Sequence, residues 1–261
     1  MVLVHGSPAN GRAWNRVVPF LRDRYRLLMP DLPGYGASDP VPEAPEGRSA
    51  LMGTALARSE SQTDIHAKAA AYRIDALELP QVDLVGNSFG GALALALAIR
   101  APQRVRRLVL MGSVGVPFAI TPGLDAVWGY EPSIQTMRAL MDTFAWDRSL
   151  VNDELAKLRY EASIRPGFQE SFSAMFPAPR QRWVDAMASP EAAIRALPHE
   201  TLILHGREDQ VIPLQTSLTL SQWIPNSQLH VFGHCGHWTQ IEHAGRFARL
   251  VGDFLAEADA A

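Results

Sequence analysis

Short apolar runs alternate along this chain with longer stretches patterned as helices. The runs are Val2 to Val4, Tyr25 to Met29, Val82 to Val85, Val105 to Met111, Thr201 to Leu204 and Gln228 to Phe232. Most give way to Gly, Asp, Ser or Pro, as strands entering loops do. Trp14 to Arg22, Ile65 to Leu79, Phe89 to Ile99, Thr216 to Ile224 and a final stretch from Ile241 to Ala256 read as helices. Such alternation implies βαβ units and an α/β fold around a mainly parallel sheet of about six strands.

Two stretches interrupt the pattern. Residues 39–62 hold Pro40, Pro42, Pro45, Gly47, Gly53 and several serines, which reads as a loop or insertion. Residues 115–198 contain no convincing strand and read as several helices, including Ser133 to Phe144, Leu150 to Ile164 and Arg182 to Leu197. Their many aromatic and Met residues are mostly packing residues. A helical excursion between two sheet strands also makes a lid over a pocket. The expected organisation is therefore a core of residues 1–114 and 199–261 with a lid at 115–198.

Composition narrows the function classes. Lys plus Arg is 24 against 27 for Asp plus Glu, a net charge of −3, whereas a nucleic-acid binder usually shows a basic excess. The single cysteine, Cys235, excludes an intrachain disulfide and a multi-cysteine zinc knuckle. The longest apolar run, Ala92 to Ile99, is far short of the ~20 residues that span a bilayer. Met1 to Val4 is too short for the apolar part of a signal peptide. The expectation is a cytoplasmic protein that acts on a small molecule, with no nucleic-acid or membrane partner.

Chemistry concentrates at the ends of three runs. Gly86-Asn87-Ser88-Phe89-Gly90 matches the nucleophile-elbow pattern G-x-S-x-G. By itself the match is as readily a plain glycine-rich turn. A strand immediately before it and a helix immediately after it make Ser88 the candidate nucleophile. A serine hydroxyl needs a base, and His237 in His234-Cys235-Gly236-His237-Trp238 follows the last strand, with His234 as its competitor. The orienting acid is Asp209 in His205-Gly206-Arg207-Glu208-Asp209, with Glu208 as its competitor. The order Ser, Asp, His differs from those of chymotrypsin-like and subtilisin-like enzymes. Backbone N–H groups of Phe89 and Ser7 are the expected oxyanion donors; Pro8 has none to give. His230, His234, Cys235 and His237 lie close in sequence, but no second cluster has zinc-like spacing, so no metal is expected. Neither a Walker motif nor G-x-G-x-x-G is present, and no cofactor is expected.

These residues resemble the α/β-hydrolase superfamily. From Val82 onward, the elbow, Val105 to Ser113, His205 to Asp209 and Leu229 to Trp238 resemble the meta-cleavage product hydrolases, most closely the 2-hydroxymuconate semialdehyde hydrolases. The resemblance implies hydrolysis of a C–C bond in a 2-hydroxy-6-oxo-hexa-2,4-dienoate, with Ser88, His237 and Asp209 as the triad. It also implies that Arg159 clamps the substrate carboxylate and that Asn87 and Trp238 line the pocket. Dehalogenases and epoxide hydrolases of this fold carry Asp at the elbow, where this chain has Ser88. A carboxylesterase and a non-catalytic, receptor-like member of the fold are the alternatives.

The front of the chain departs from the family pattern. His5-Gly6-Ser7-Pro8-Ala9-Asn10 stands where the family has H-G-S-G-P-G, and Asn15 directly follows Trp14. The resemblance places two strands before the one ending in His-Gly, where only Met1 to Val4 stand, so the first two of the fold's usual strands are expected to be missing. Tyr25 to Met29 would then be an open sheet edge, a pairing hazard, expected to be covered by residues 39–62 or by another chain in a homo-oligomer. Cys235 is expected to neighbour the base rather than to act in redox or metal chemistry.

Overall fold

The computed structural model describes residues 1–38 and 77–257. The 39–62 insertion, and with it the expected cover for the sheet edge, lies outside the described residues, as does nearly all of the helix expected over Ile65 to Leu79. Five strands form one parallel sheet among the described residues: β1 (Val2–Val4), β2 (Val82–Asn87), β3 (Val105–Met111), β4 (Thr201–Gly206) and β5 (Ser227–Phe232), side by side in that order. Val4 pairs with Gly86, Gly86 with Leu110, Leu110 with Ile203 and Ile203 with Leu229. All the loops after the strands therefore leave from the same edge, where ligands bind in open parallel sheets.

The run Tyr25 to Met29, expected as a sixth strand, contributes only a single bridge, Leu28 to Val2. Leu3 N–H donates to the Leu28 carbonyl at 2.8 Å, and Leu28 N–H to the Met1 carbonyl at 3.0 Å. The three residues of β1 offer little more to pair with, and Pro30 brings no N–H.

Side chains alternate across the strands, so the sheet has two buried faces. Leu84, Leu108, Leu110 and Ile203 pack on one, with helix α2 (Phe89–Arg100). Val85, Val109, Met111, Leu202 and Leu204 pack on the other with Trp14, Val17, Leu21 and the last helix, α11 (Ala244–Ala256). Helix α2 is buried on nearly every side, matching its Ala-Leu repeat, whereas α11 buries one stripe, Phe247, Ala248, Val251, Gly252, Phe254 and Leu255. Leu214–Trp223 forms α9 and Thr239–Glu242 a short α10 before α11.

Residues between β3 and β4 form helices α3 (Pro122–Trp128), α4 (Ile134–Phe144), α5 (Asp153–Ser163), α6 (Phe168–Met175), α7 (Gln181–Met187) and α8 (Glu191–Arg195). Helix α3 has a Thr121 side-chain cap and Pro122 at its start. The single helix expected over Arg182 to Leu197 is two, because Pro190 disfavours helical geometry in the residue before it. The helix expected from Trp14 is a 3-10 turn at Gly11–Trp14 followed by α1 (Val18–Leu21), which starts where Pro19 falls in the first turn.

Candidate active site

Ser88 sits between β2 and α2 with φ 54° and ψ −118°, a strained conformation for a residue with a side chain. Gly86 and Gly90 make the turn possible. A Cβ at Gly86 would strike the Gly90 carbonyl, and one at Gly90 would strike the Val4 and His5 carbonyls. Ser88 N–H donates to the Met111 carbonyl at 2.9 Å, and the Ser88 carbonyl accepts the Val114 N–H at 3.2 Å. The elbow is thus fastened to the turn that leaves β3. The Asn87 amide donates to the same Met111 carbonyl at 3.3 Å, so this predicted pocket residue also holds the elbow to β3.

His237 and Asp209 meet at that turn. His237 Nδ1 lies 2.7 Å from Asp209 Oδ2, and both side chains are buried. A Cβ at Gly112, which has φ +48°, would lie 3.2 Å from His237 Nδ1 and 3.3 Å from Asp209 Oδ2. With Nδ1–H donating to the carboxylate, Nε2 keeps its lone pair for a proton. Asp209 Oδ1 accepts N–H groups from Val211 at 2.8 Å and Ile212 at 2.9 Å. Burial alone would push the Asp209 carboxyl up, but His237, His205 and the Ile212 N–H together hold it below the ordinary aspartate value.

His205 has a place in this site that its sequence position alone did not assign. Its Nε2 lies 3.0 Å from the Ile212 carbonyl, which can only accept, so Nε2 carries the proton. Nδ1 then accepts from the Ser217 hydroxyl at 2.7 Å. That Nε2–H also lies 3.5 Å from Asp209 Oδ2. Burial lowers the His205 pKa and keeps the ring neutral.

The competitors are engaged elsewhere. The His234 ring stacks on Trp146 at 6.0 Å, and its carbonyl accepts from His243 Nε2. Glu208 joins the two loops: its Oε2 accepts the Cys235 N–H at 2.9 Å and its own N–H donates to the Cys235 carbonyl at 3.0 Å. Cys235 is fully buried two residues before His237, and burial, then the nearby carboxylates, raise its thiol pKa well above the ordinary value. Among the described residues, no three His, Cys, Asp or Glu side chains are grouped to hold a metal ion.

The His5 to Ser7 loop packs directly on the elbow: a Cβ at Gly6 would lie 2.9 Å from Ser88 Cβ. His5 fixes this loop. Its Nε2 accepts the Leu32 N–H at 3.0 Å, which leaves Nδ1–H to donate to the Gly6 carbonyl at 2.8 Å. The Tyr35 hydroxyl donates to Ser7 Oγ at 3.0 Å. Both anchors join residues far apart in sequence, and nothing local signals them.

The helices between β3 and β4 touch all three loops. Phe176 meets the Phe89 ring at 6.3 Å. Thr121 Oγ1 donates to the Val211 carbonyl at 2.7 Å, and the Phe144 carbonyl accepts the His237 N–H at 2.7 Å. From α5, the Arg159 guanidinium lies 4.9 Å over the Trp238 ring, and Trp238 in turn stacks on Phe144 at 5.1 Å. Among the described residues, Arg159 has neither a hydrogen-bond nor an ion-pair partner. Burial pushes its pKa down to about 10, which still leaves a cation at neutral pH.

The family profile of the α/β hydrolase fold matches residues 1–244. The 2-hydroxymuconate semialdehyde hydrolase of Pseudomonas sp. strain CF600 is 63% identical over 264 residues, which cover 100% of this chain and 88% of that one. This chain belongs to the meta-cleavage product hydrolases. A second member, the 2-hydroxy-6-oxo-2,4-heptadienoate hydrolase of Pseudomonas putida strain F1, is 59% identical over 99% of this chain and 90% of its own. A solved meta-cleavage product hydrolase from Pseudomonas fluorescens IP01, a serine-to-alanine mutant complexed with acetates, superposes with a TM-score of 0.87. It is 52% identical and aligns over 99% of this chain and 90% of its own. The arrangement above brings together a hydroxyl on a strained elbow and a His–Asp pair on the adjoining turn, with the Arg159 cation over the neighbouring Trp238 ring.

Proposed function

We propose that this hydrolase cleaves the C5–C6 bond of 2-hydroxy-6-oxo-hexa-2,4-dienoates, with 2-hydroxymuconate semialdehyde or a close analogue as substrate. The observation that carries the reading is Arg159, a half-buried guanidinium with no anionic partner among the described residues. A planar cation of this kind suits a substrate carboxylate, and the relatives named above act on dienoates.

In this reading the helices of residues 115–198 are a lid on a core of residues 1–114 and 199–261. Arg159 binds the C1 carboxylate, with Trp238 holding the guanidinium in place and Asn87 on the pocket wall. The dienol tautomerises to the ketone, which turns the five-carbon fragment into a workable leaving group. His237 takes the proton of Ser88, or of a water beside it, as oxygen attacks the C6 carbonyl. Asp209 keeps the ring oriented and stabilises its charge. N–H groups of Ser7 and Phe89 receive the developing oxyanion. Breaking C5–C6 returns the electron pair to the five-carbon fragment, which takes a proton and leaves as 2-hydroxypenta-2,4-dienoate. The C6 carbon leaves as a carboxylic acid, directly where water attacked, or once a second attack by water, with His237 again taking its proton, has hydrolysed the Ser88 ester. Cytoplasmic action agrees with the single buried thiol. Homo-oligomerisation is part of the proposal because, among the described residues, Leu28 alone lengthens the β1 edge.

Arg159→Ala separates this reading from a carboxylesterase. The proposal expects kcat/KM for the dienoate to fall about 30- to 1,000-fold, the range for losing a charge-assisted bidentate contact. Hydrolysis of p-nitrophenyl acetate should change by less than about threefold, since a neutral ester has no carboxylate to bind. Equal losses on both substrates would contradict it.

A further inference from the structure

Glu242, at the end of α10, carries a carboxylate that no step above uses. Its Oε2 accepts the N–H groups of Trp146 at 2.8 Å and Asp147 at 2.9 Å, in the segment leaving α4. Its Oε1 accepts the N–H of Gly236 at 2.9 Å, in the loop that ends at His237. One side chain therefore ties a lid segment to the loop of the base through three charge-assisted bonds.

The two segments also meet without it. His237 N–H donates to the Phe144 carbonyl at 2.7 Å, and the Phe144 ring lies 5.8 Å from His237. Gly236 packs so closely that a Cβ there would strike the Phe144 carbonyl. A shift of either segment against the other would move the imidazole, the Phe144 wall, or both.

We propose that Glu242 is a positioning residue that holds the end of α4 against the His237 loop, so that the pocket wall and the proton shuttle keep one geometry. This rests on His237 being the base. Glu242 acts through the His237 loop and the Phe144 wall it holds, not by contact with the reacting atoms. Glutamine at this position is nearly the same shape but has a single oxygen. It can accept from the Gly236 side or from the Trp146–Asp147 side, and its amide group then faces N–H donors on the other.

The test is Glu242→Gln in the full chain, read by the rate at which a small fluorophosphonate labels Ser88. That reaction needs His237 but not Arg159. A misplacement of the base by ~1 Å should slow labelling about 10- to 100-fold, with loss of amide-exchange protection at Gly236 or at Trp146 and Asp147. The urea midpoint should show the variant folded under the assay conditions. Labelling at the wild-type rate would overturn the proposal, as would a slowing no larger than the unfolded fraction accounts for. A wild type that the probe never labels would overturn the triad reading and this proposal with it. If the variant does not fold, exchange in the wild type decides. Gly236, Trp146 and Asp147 should open together, and opening rates differing by more than about tenfold would contradict a single locked body.

Discussion

Asp209 is held by four neighbours: the His237 ring, the His205 ring and the N–H groups of Val211 and Ile212. Asp209→Asn keeps the shape but turns one acceptor into a donor, so the His237 tautomer with Nδ1–H loses its partner. We expect kcat to fall about 10³- to 10⁴-fold, with KM nearly unchanged. The lowered Asp209 pKa has a consequence for stability as well. A carboxyl held below its unfolded value of about 3.9 stabilises the fold above that pH, and the contribution is lost as pH falls through the folded value. Urea midpoints at neutral pH and near pH 3.5 should therefore lie closer together in Asp209→Asn than in the wild type, which has more to lose to acid. An identical acid loss in both would contradict the direction. At this scale Ser88, Asp209 and His237 were legible as candidates, because each follows an apolar run and their chain order is distinctive. His5, Tyr35 and Glu242 were not. Each acts through one hydrogen bond or a few to groups remote in sequence, and such bonds leave no periodicity.

Among the elements, the elbow followed directly from sequence: a strand, two small glycines where backbones close in, and an Ala-Leu helix fit only for burial. The edge run and the helix ends were harder. Tyr25 to Met29 has the composition of a strand, but its pairing depended on a three-residue neighbour. Helices α3 and α6 lay in a stretch where aromatic residues obscure the helical period. Those aromatics fasten the helices between β3 and β4 to the elbow. Trp128 stacks on Phe176 at 4.5 Å, Phe172 meets Phe176 at 6.2 Å, and Phe176 meets Phe89. Phe176 is fully buried at the centre of this cluster. Phe176→Ala should cost about 3–5 kcal/mol in urea unfolding, as expected for a large core truncation, and should raise KM as these helices lose their seat on the elbow. A loss below about 1 kcal/mol would mean that these helices are seated elsewhere.

For the whole molecule, the aligned strand ends bring three loops distant in sequence to one edge of the sheet, and the helices between β3 and β4 lie across them. The short apolar runs predicted that sheet because a fully buried parallel strand is apolar on both faces. How the helical excursion sits on the core was not legible, since its contacts are aromatic pairs and backbone caps rather than a pattern along the chain. The account as a whole stands on a reaction. Purified protein should bleach yellow 2-hydroxymuconate semialdehyde, releasing 2-hydroxypenta-2,4-dienoate and formate in equal amounts, with Ser88→Ala inert on the same timescale. Persistence of the yellow dienoate in the presence of protein that still cleaves p-nitrophenyl acetate would contradict the central claim.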